Sequence, residues 1–397
     1  MRNFKVLVLT LSFGSGHVRA SEAIIAALKQ SAPKDTNLEI EYLDVIPNSA
    51  FIFQLFYVRT YFAMLKYAPW LWEKYFANRV EQVHQNTAPE WTFKIGCSRV
   101  FRQINRFKPD LIVATEVGAC EIGRMVKRQR PEMKLAGIVT DYEGEPIWSC
   151  PEVDWFSVST PFVRDQLVGW GAPAERIETC GIPVDQRFCK KPSADERAGI
   201  LRDFDLSEDK QIVLLMSGGM GFTKMDGLVQ ELIENGFGAQ LVAICGQDQK
   251  MKRRLDELAA NARGRIKVLG WCNRIHDLMR VADLLVTKPG GLTITEALAA
   301  GIPIVAFDPI PGAEVRHCEY LAENGAGLHA NGHKETARLI KSVLSDKTKL
   351  EQLTAAASRI AKPDAARVIA ERLIGLLEPT ISITTDLGRN KQPLIVS

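Results

Sequence analysis

The sequence predicts an α/β protein made of two parallel-sheet domains in tandem. Short apolar runs alternate with amphipathic stretches of helical length, a pattern typical of parallel sheets covered by helices. The alternation occurs in two series, and a polar stretch at 185–195 separates them as a linker. At 397 residues the chain is also too long for one ordinary core. We therefore expect two Rossmann-like domains with a cleft between them.

Apolar runs of strand length and helical periodicity place the elements of both domains. In the first series strands are expected at 5–11, 38–45, 110–115, 134–140 and 155–159, with helices that include 20–29 and 118–130. In the second series strands are expected at 211–216, 240–245, 266–269, 284–287 and 304–307, with helices at 226–235, 249–263, 275–282, 293–300 and 313–324. Terminal helices are expected near 334–345, 349–361 and 364–377.

These elements predict where the domains begin and end. We expect an N-terminal domain at 1–188 and a C-terminal domain at 189–363. A helix at 364–378 is expected to pack back on the first domain, and 379–397 is expected to be a polar tail.

The composition is that of a soluble globular protein, with 46% hydrophobic and 24% charged residues. The net charge of +3 implies no strongly basic surface for nucleic acid. The 8 cysteines form no CxxC pair, which favours reduced thiols in a cytoplasmic protein. The apolar run at 6–11 lacks a cleavage site and leads at once into a glycine-rich turn, so it predicts a strand, not a signal peptide. No run reaches the ~20 apolar residues that a spanning helix needs.

A glycine-rich turn with a histidine follows the first predicted strand. The residues SFGSGH at 12–17 do not match the GxGxxG dinucleotide fingerprint. Gly14 and Gly16 allow backbone amides to approach a ligand at a helix N-terminus. His17 would then lie at the edge of the cleft, where an imidazole can take a proton from an acceptor hydroxyl. A histidine that only makes a local hydrogen bond at the helix start explains the spacing equally well.

Two further glycine-rich turns follow strands of the second series. The first contains Gly218 and Gly219, which can contact a diphosphate. The second reads KPGGLTITEAL at 288–298, where Gly290, Gly291 and Thr293 suit a phosphate and Glu296 suits the two hydroxyls of a ribose. A capping box between Thr293 and Glu296 explains those two residues but not the glycine pair. The loop DPIPGAE at 308–314 follows another strand end, where open α/β sheets bind ligands.

Aromatic residues are concentrated between positions 51 and 76, which hold 11 of the 31 in the chain. Lysine and arginine side chains are interleaved with them, as in segments that contact the headgroup layer of an anionic membrane. A buried helical hairpin whose basic side chains reach the surface is the alternative. We favour membrane contact, through Phe53, Phe56, Arg59, Phe62, Lys66, Trp70 and Trp72.

No metal site is expected. Asp203-Phe204-Asp205 has the DxD pattern of metal-dependent sugar transferases, but it follows a short predicted helix instead of a strand end. The remaining histidines have no ligand spacing.

The motifs together resemble glycosyltransferase family 28, and within it the monogalactosyldiacylglycerol synthases and the processive diacylglycerol glucosyltransferases. The most specific matches are SFGSGHVRAS, VTDYEGEPIW, GWCNRIHDL, TKPGGLTITEALAAGIPIV and DPIPGAE. The resemblance runs from residue 6 to about 377. It implies a GT-B fold, an inverting mechanism, and a UDP-sugar as substrate, with no cofactor or metal required.

By position, the resemblance also assigns roles to individual residues. His17 matches the general base, Gly218 and Gly219 a phosphate loop, and Ile275 the residue whose backbone meets uracil. Diphosphate contacts fall on Gly291, Leu292 and Thr293, and the ribose contact on Glu296. Residues 51–79 match the membrane and lipid-acceptor region. Gly14, Gly16, Asp141 and Glu145 are expected on the acceptor side.

Four positions depart from the family pattern. Ala313 stands where a sugar-contacting Gln is usual, next to Glu314, and His317 replaces an Asn; these changes bear on which sugar is transferred. Glu145 and Glu116 each replace a His, and they bear on the acceptor. Together with Asp141 they are expected to make the cleft more acidic than is typical.

The function expected from all this is transfer of a hexose from a UDP-sugar to a lipid, with diacylglycerol as the expected acceptor, on the inner face of the cell membrane. Two alternatives stay open at this point: a UDP-sugar 2-epimerase, which shares the fold, and a UDP-sugar-binding regulatory protein without efficient transfer.

Overall fold

Two six-stranded parallel sheets form the frame of the protein in this computed structural model. It describes residues 2–68, 70–71, 89–217, 224–262, 264–310 and 314–378, without the side chains at 56, 57, 61, 62, 65 and 66. The predictions for Gly218, Gly219, Ala313 and Trp72, for the side chains of Phe56, Phe62 and Lys66, and for the tail at 379–397 lie outside the described residues.

The first sheet has the strand order β2-β1-β3-β4-β5-β6, and every pair is parallel. Its strands are β1 Arg2–Thr10, β2 Thr36–Asp44, β3 Leu111–Ala114, β4 Lys134–Ile138, β5 Trp155–Ser157 and β6 Ile177–Glu178. The order reverses between β1 and β3, and a crevice opens at the carboxyl ends of strands beside such a switch point. The turn that carries His17 follows β1, so the topology places it there.

The second sheet has the order β12-β11-β10-β7-β8-β9 and is also fully parallel. Its strands are β7 Ile212–Met216, β8 Gln240–Ile244, β9 Ile266–Leu269, β10 Leu284–Thr287, β11 Ile304–Ala306 and β12 Gly327–His329. This order reverses between β7 and β10, which precede the two glycine-rich turns of the second series. The α/β class with two Rossmann-like domains is thus confirmed.

Helices cover both faces of each sheet. Those of the first half are α1 Ser15–Ser31, α2 Val45–Asn48, α3 Phe51–Phe53, α4 Thr60–Tyr67, α5 Glu90–Gly96, α6 Ser98–Phe107, α7 Val117–Gln129 and α8 Pro161–Gly169, with a π-helix at Gln54–Arg59 and 3₁₀ turns at Pro146–Trp148 and Ala174–Arg176. The second half has α9 Gln186–Cys189, α10 Ala194–Asp203, α11 Met225–Glu234, α12 Gln249–Ala260, α13 Ile275–Val281, α14 Gly291–Ala300, α15 Val315–Glu323, α16 Gly332–Ser345, α17 Lys347–Ile360 and α18 Ala365–Leu377.

Three features of this arrangement differ from the sequence-based expectation. Strands β6 and β12 were not predicted, because neither lies in an apolar run of strand length. The linker predicted at 185–195 is wrong as an irregular segment, because it contains α9 and the start of α10. Phe188 of α9 is 5% exposed and belongs to the core of the second half.

The last described helix returns to the first sheet. Ile369 and Leu373 of α18 share one apolar cluster with Val6 and Val8 of β1 and with Ile24 of α1. All five side chains are fully buried. The C-terminal helix therefore completes the core of the first domain.

Candidate active site

His17 is the third residue of α1, directly after the turn that follows β1. Its Nδ1 lies 2.8 Å from the hydroxyl of Thr140 and 3.2 Å from the carbonyl oxygen of Thr115. The Thr140 hydroxyl donates to that same carbonyl at 3.2 Å, so its oxygen accepts from Nδ1–H. This assigns the proton to Nδ1 and leaves Nε2 as the basic nitrogen.

The surroundings of His17 favour the neutral imidazole. Burial lowers the pKa of His17, and the Asp141 carboxylate and the Thr115 carbonyl oppose that shift only in part. A neutral ring with its proton held on Nδ1 is the form that can accept a proton at Nε2.

A cavity of about 560 Å³ separates the two domains beside the first turn of α1. Both domains contribute walls, among them Ser12, Phe13, Gly14, Ser15, Arg19, Glu22, Asp185, Arg187, Trp271, Ile275, Leu292 and Glu296. A second cavity of about 40 Å³ lies at the ends of β7 and β8, lined by residues that include Met216, Ile244, Gly246, Thr293 and Glu296. The structure thus brings Ile275, Leu292, Thr293 and Glu296 together, as the donor assignments require.

Glu296 is 3% exposed, and its Oε1 lies 3.3 Å from Nη1 of Arg19 in the other domain. Burial raises the pKa of Glu296 to about 7, against the opposing charge of Arg19. The capping-box alternative is wrong. Helix α14 begins at Gly291 with Gly290 as its N-cap, so Thr293 lies inside the helix. Glu296 is therefore a buried carboxylate directed at the cleft.

A buried lysine lies shortly before α14 and was missed by the sequence analysis. Lys288, which follows β10, is 8% exposed and forms an ion pair with Glu314. The other oxygen of Glu314 accepts from the backbone N–H of Ile310 at 2.9 Å. A contact of Glu314 with the donor sugar stays a prediction, and it would require this pair to open. The signal in the sequence was a charge placed immediately after the buried strand LLVT at 284–287.

The two domains are also joined through Asp141 and Tyr142, which follow β4. Nε2 of His317 lies 2.6 Å from Oδ1 of Asp141, and the Tyr142 hydroxyl lies 2.9 Å from that of Thr295. Sequence reasoning linked the departure at His317 to the identity of the sugar. In the structure His317 is 2% exposed and faces Asp141 and the Pro289 carbonyl oxygen.

Of the two glutamates expected to make the cleft more acidic, Glu116 has a local role. Glu116 is the N-cap of α7, and its carboxylate accepts from the backbone N–H groups of Gly118 at 2.6 Å and Ala119 at 3.3 Å. Glu145 directly precedes the 3₁₀ turn Pro146–Trp148. The extra acidity at position 116 therefore serves helix capping.

The aromatic segment exposes part of its side chains and buries others. Phe53 is 7% exposed and packs against Phe93 of α5, with ring centroids 5.8 Å apart, so the expected membrane contact of Phe53 is wrong. Its neighbours Phe51 and Ile52 are 64% and 68% exposed. On α5, which packs against α3, Trp91 and Ile95 are 63% and 68% exposed. We call Phe51, Ile52, Trp91 and Ile95 the apolar surface.

Trp91 and Ile95 lie outside the aromatic segment and were missed, although their i, i+4 spacing places them on one face of a helix. Eight of the thirteen exposed large apolar side chains in the described part of the chain lie between 51 and 95; besides the apolar surface these are Leu55, Tyr67, Trp70 and Leu71. On the next helix, α6, Arg99, Arg102 and Arg106 are exposed. No helix within the described ranges is long and apolar enough to cross a membrane. Those ranges also hold no group of three or more side chains suited to a metal ion.

Comparison with known proteins gives matches to each half of the chain. Residues 17–184 match the family described as monogalactosyldiacylglycerol (MGDG) synthase, and residues 202–360 match glycosyl transferases group 1. The processive diacylglycerol β-glucosyltransferase of Bacillus licheniformis is 27% identical over 88% of this chain and 89% of its own. That of Bacillus subtilis is 27% identical over 94% of this chain and 95% of its own. These matches confirm the resemblance seen in the motifs.

Solved structures share the fold at low identity. MurG of Acinetobacter baumannii is 15% identical with a TM-score of 0.61, covering 94% of this chain and 99% of its own. HepE of Anabaena in complex with UDP-glucose is 16% identical with a TM-score of 0.55, and the match covers 94% of this chain and 100% of its own. The UDP-GlcNAc 2-epimerase of Neisseria meningitidis bound to UDP-GlcNAc is 11% identical with a TM-score of 0.62, and the match covers 94% of this chain and 100% of its own.

Proposed function

We propose that this chain, a UDP-sugar-dependent glycosyltransferase similar to the processive diacylglycerol glucosyltransferases, transfers a hexose to diacylglycerol with inversion at a membrane surface. The observation that carries the proposal is the state of His17. Its proton is held on Nδ1 by Thr115 and Thr140, and its helix forms one wall of a cleft whose other wall holds Ile275 and Glu296. The helix that carries this neutral base thus faces the proposed nucleotide site across the cleft.

The donor is proposed to bind on the second domain. Uracil lies at the backbone of Ile275 and ribose on Glu296, while the diphosphate lies at the N-terminus of α14, near Gly290–Thr293, and at the loop of Gly218 and Gly219. The first amides of a helix carry partial positive charge, which suits a diphosphate and stabilises the charge that develops on departing UDP.

The reaction is a direct displacement. The acceptor oxygen forms a bond to the anomeric carbon as the bond from that carbon to the UDP oxygen breaks. Nε2 of His17 takes the hydroxyl proton, and UDP leaves with the electron pair. General-base assistance of this kind contributes about 10²–10⁴-fold to a rate.

The acceptor is proposed to arrive from a membrane. The apolar surface and the exposed arginines of α6 lie on the same domain as His17, and they combine the apolar and cationic groups that bind an anionic bilayer surface. We place the enzyme at the cytoplasmic face of the cell membrane, where the UDP-sugar substrate is present.

The test offers the purified protein a panel of UDP-hexoses with vesicles that contain diacylglycerol, and identifies the lipid product by mass. His17→Ala should lower kcat by about 10²–10⁴-fold. Its UDP affinity by calorimetry should stay at the wild-type value, since His17 is not part of the donor site. Full turnover in His17→Ala would exclude His17 as the base.

Two outcomes would point to the alternative functions. The first comes from incubation of the protein with UDP-sugar alone, and the second from the assay with vesicles. An epimer in that reaction would indicate a 2-epimerase. UDP-sugar binding with no lipid product from any donor in the panel would indicate a regulatory protein. The 2-epimerase in the comparison is 11% identical, which shows the fold alone.

A further inference from the structure

Three consecutive residues after β4 connect the base to the donor domain. The Thr140 hydroxyl contacts Nδ1 of His17, and the Thr140 carbonyl oxygen lies 3.3 Å from the place where a Cβ on Gly291 would stand. The Tyr142 hydroxyl contacts Thr295 of the same helix α14 at 2.9 Å. The segment that orients the base therefore lies directly against the helix proposed to bind the diphosphate.

Asp141, the middle residue of this segment, is held by a histidine of the donor domain. Its Oδ1 accepts from Nε2 of His317 at 2.6 Å and from the backbone N–H of Tyr142 at 2.7 Å. Nδ1 of His317 lies 2.6 Å from the carbonyl oxygen of Pro289. Because both ring nitrogens face acceptors, both must donate, and the ring is an imidazolium. A charge pair therefore bridges the two domains beside the base.

We propose that His317 is a positioning residue for the base, which holds Asp141 so that the Thr140 hydroxyl stays on Nδ1 of His17, and which neutralises the carboxylate beside the imidazole. This inference rests on the proposed role of His17. The family pattern has Asn at this place, which can donate a hydrogen bond but carries no charge. The neutralising charge is thus a property of this chain.

The charged groups around the three residues support this arrangement. His17 faces Asp141, and Asp141 faces both histidines and lies beside Glu143. Burial alone would raise the pKa of Asp141, but His317, the Glu143 amide and His17 lower it. Burial alone would lower the pKa of His317, but Asp141 and Glu314 raise it. Glu314 is already paired with Lys288, so Asp141 is the main counter-charge.

The test is a titration of the histidine rings by NMR in the full chain, which has 6 histidines, with His17 assigned from the spectrum of His17→Ala. In His317→Asn the Asp141 carboxylate loses its counter-charge, and the pKa of His17 should rise. In Asp141→Asn the carboxylate is gone, and the pKa of His17 should fall. In the double variant the pKa of His17 should lie between the values of the two single variants.

A nearby charge shifts a pKa by about 1–3 units when it is shielded from water. The Asp141 side chain is 45% exposed, so we expect shifts of about one unit. The acid limb of the pH profile of kcat/KM should move with the titration in each variant. His329→Asn is the control, because His329 lies at an exposed position at the end of edge strand β12. It should change neither the pKa of His17 nor the acid limb of the pH profile.

The result that overturns the inference is an unchanged pKa of His17 in folded His317→Asn, or shifts of the same sign in both single variants. His317→Gln provides a second neutral donor in case His317→Asn does not fold, as judged by its melting temperature. The titration needs no turnover. If His17→Ala keeps full activity, the role of His17 as base fails, while the titration still decides whether the pair sets its protonation.

Discussion

Removal of the side chains that α5 presents to solvent should weaken binding to vesicles without loss of the fold. Ile95 is 68% exposed. Full burial of an isoleucine contributes about 1.5–3 kcal/mol, so its exposed part is worth about 1–2 kcal/mol. Trp91 is 63% exposed. At about 25 cal/mol per Å² and roughly 160 Å² of free surface, it is worth about 4 kcal/mol.

These values assume complete immersion in hydrocarbon. Side chains of a surface-bound helix reach only the boundary between headgroups and acyl chains, so we take about half of the sum, or about 2–3 kcal/mol. The double variant Trp91→Ser/Ile95→Ser should therefore bind vesicles about 30- to 150-fold more weakly. The measurement is co-sedimentation with vesicles of anionic phospholipid and diacylglycerol.

Two controls make this result specific. Val168→Ser removes an exposed apolar side chain from α8, 37% accessible, and should leave vesicle affinity unchanged. Phe53→Ala acts in the core, where such a change costs about 3–5 kcal/mol, and it should lower the melting temperature but not the affinity of the folded fraction. Affinity within threefold of wild type in the double variant would refute the membrane role of the apolar surface.

Three further predictions concern titration and packing. The pKa of Glu296 is raised to about 7, so it is ionised above that pH, and calorimetry should show UDP-glucose affinity falling as pH drops from 8 to 6 in the wild type but not in Glu296→Gln. His317 has a raised pKa, so its pair with Asp141 stabilises fully below about pH 6.5 and less as pH rises through the raised value. The melting temperature of wild type should therefore exceed that of His317→Asn at pH 6, and the gap should narrow towards pH 9. Leu373→Ala on α18 should lower the free energy of unfolding in urea by about 2–5 kcal/mol, whereas Arg372→Ala, at an exposed ion pair, should change it by at most about 1 kcal/mol.

The frame of the molecule was predictable because buried parallel strands read as continuous apolar runs. Ten of the twelve strands were predicted, and most of them are buried apolar runs, whereas the edge strand β2 alternates charged and apolar residues and is largely unburied. The two missed strands, of two and three residues, do not lie in an apolar run of strand length. The start of α14 was less predictable. Thr293 and Glu296 have capping-box spacing, yet the helix begins at Gly291, since Gly290 can serve as N-cap and no cap side chain is needed.

The contacts around the site were beyond the reach of a single sequence. The position of His17 after β1 follows from local pattern, but Thr115, Thr140 and Asp141 reach it across the sheet, 98 to 124 residues away. His317 lies 176 residues from Asp141. Likewise, the composition of the aromatic segment cannot predict that Phe53 faces Phe93. The direction of the Phe53 side chain is set by the packing of α3 against α5.

The pair of Arg19 and Glu296 connects the proposed ribose site with the helix that carries His17. A buried carboxylate is costly without a partner, and in this structure Arg19 supplies one from the opposite domain. Ribose hydroxyls that bind Glu296 must replace Arg19 or share the carboxylate with it. Arg19 and His17 lie two residues apart on α1, so a ligand at the proposed ribose site would act on a charge one helical turn or less from the proposed base. We therefore predict that donor binding and the protonation state of His17 are coupled, through α1 and through the segment of Thr140 and Asp141.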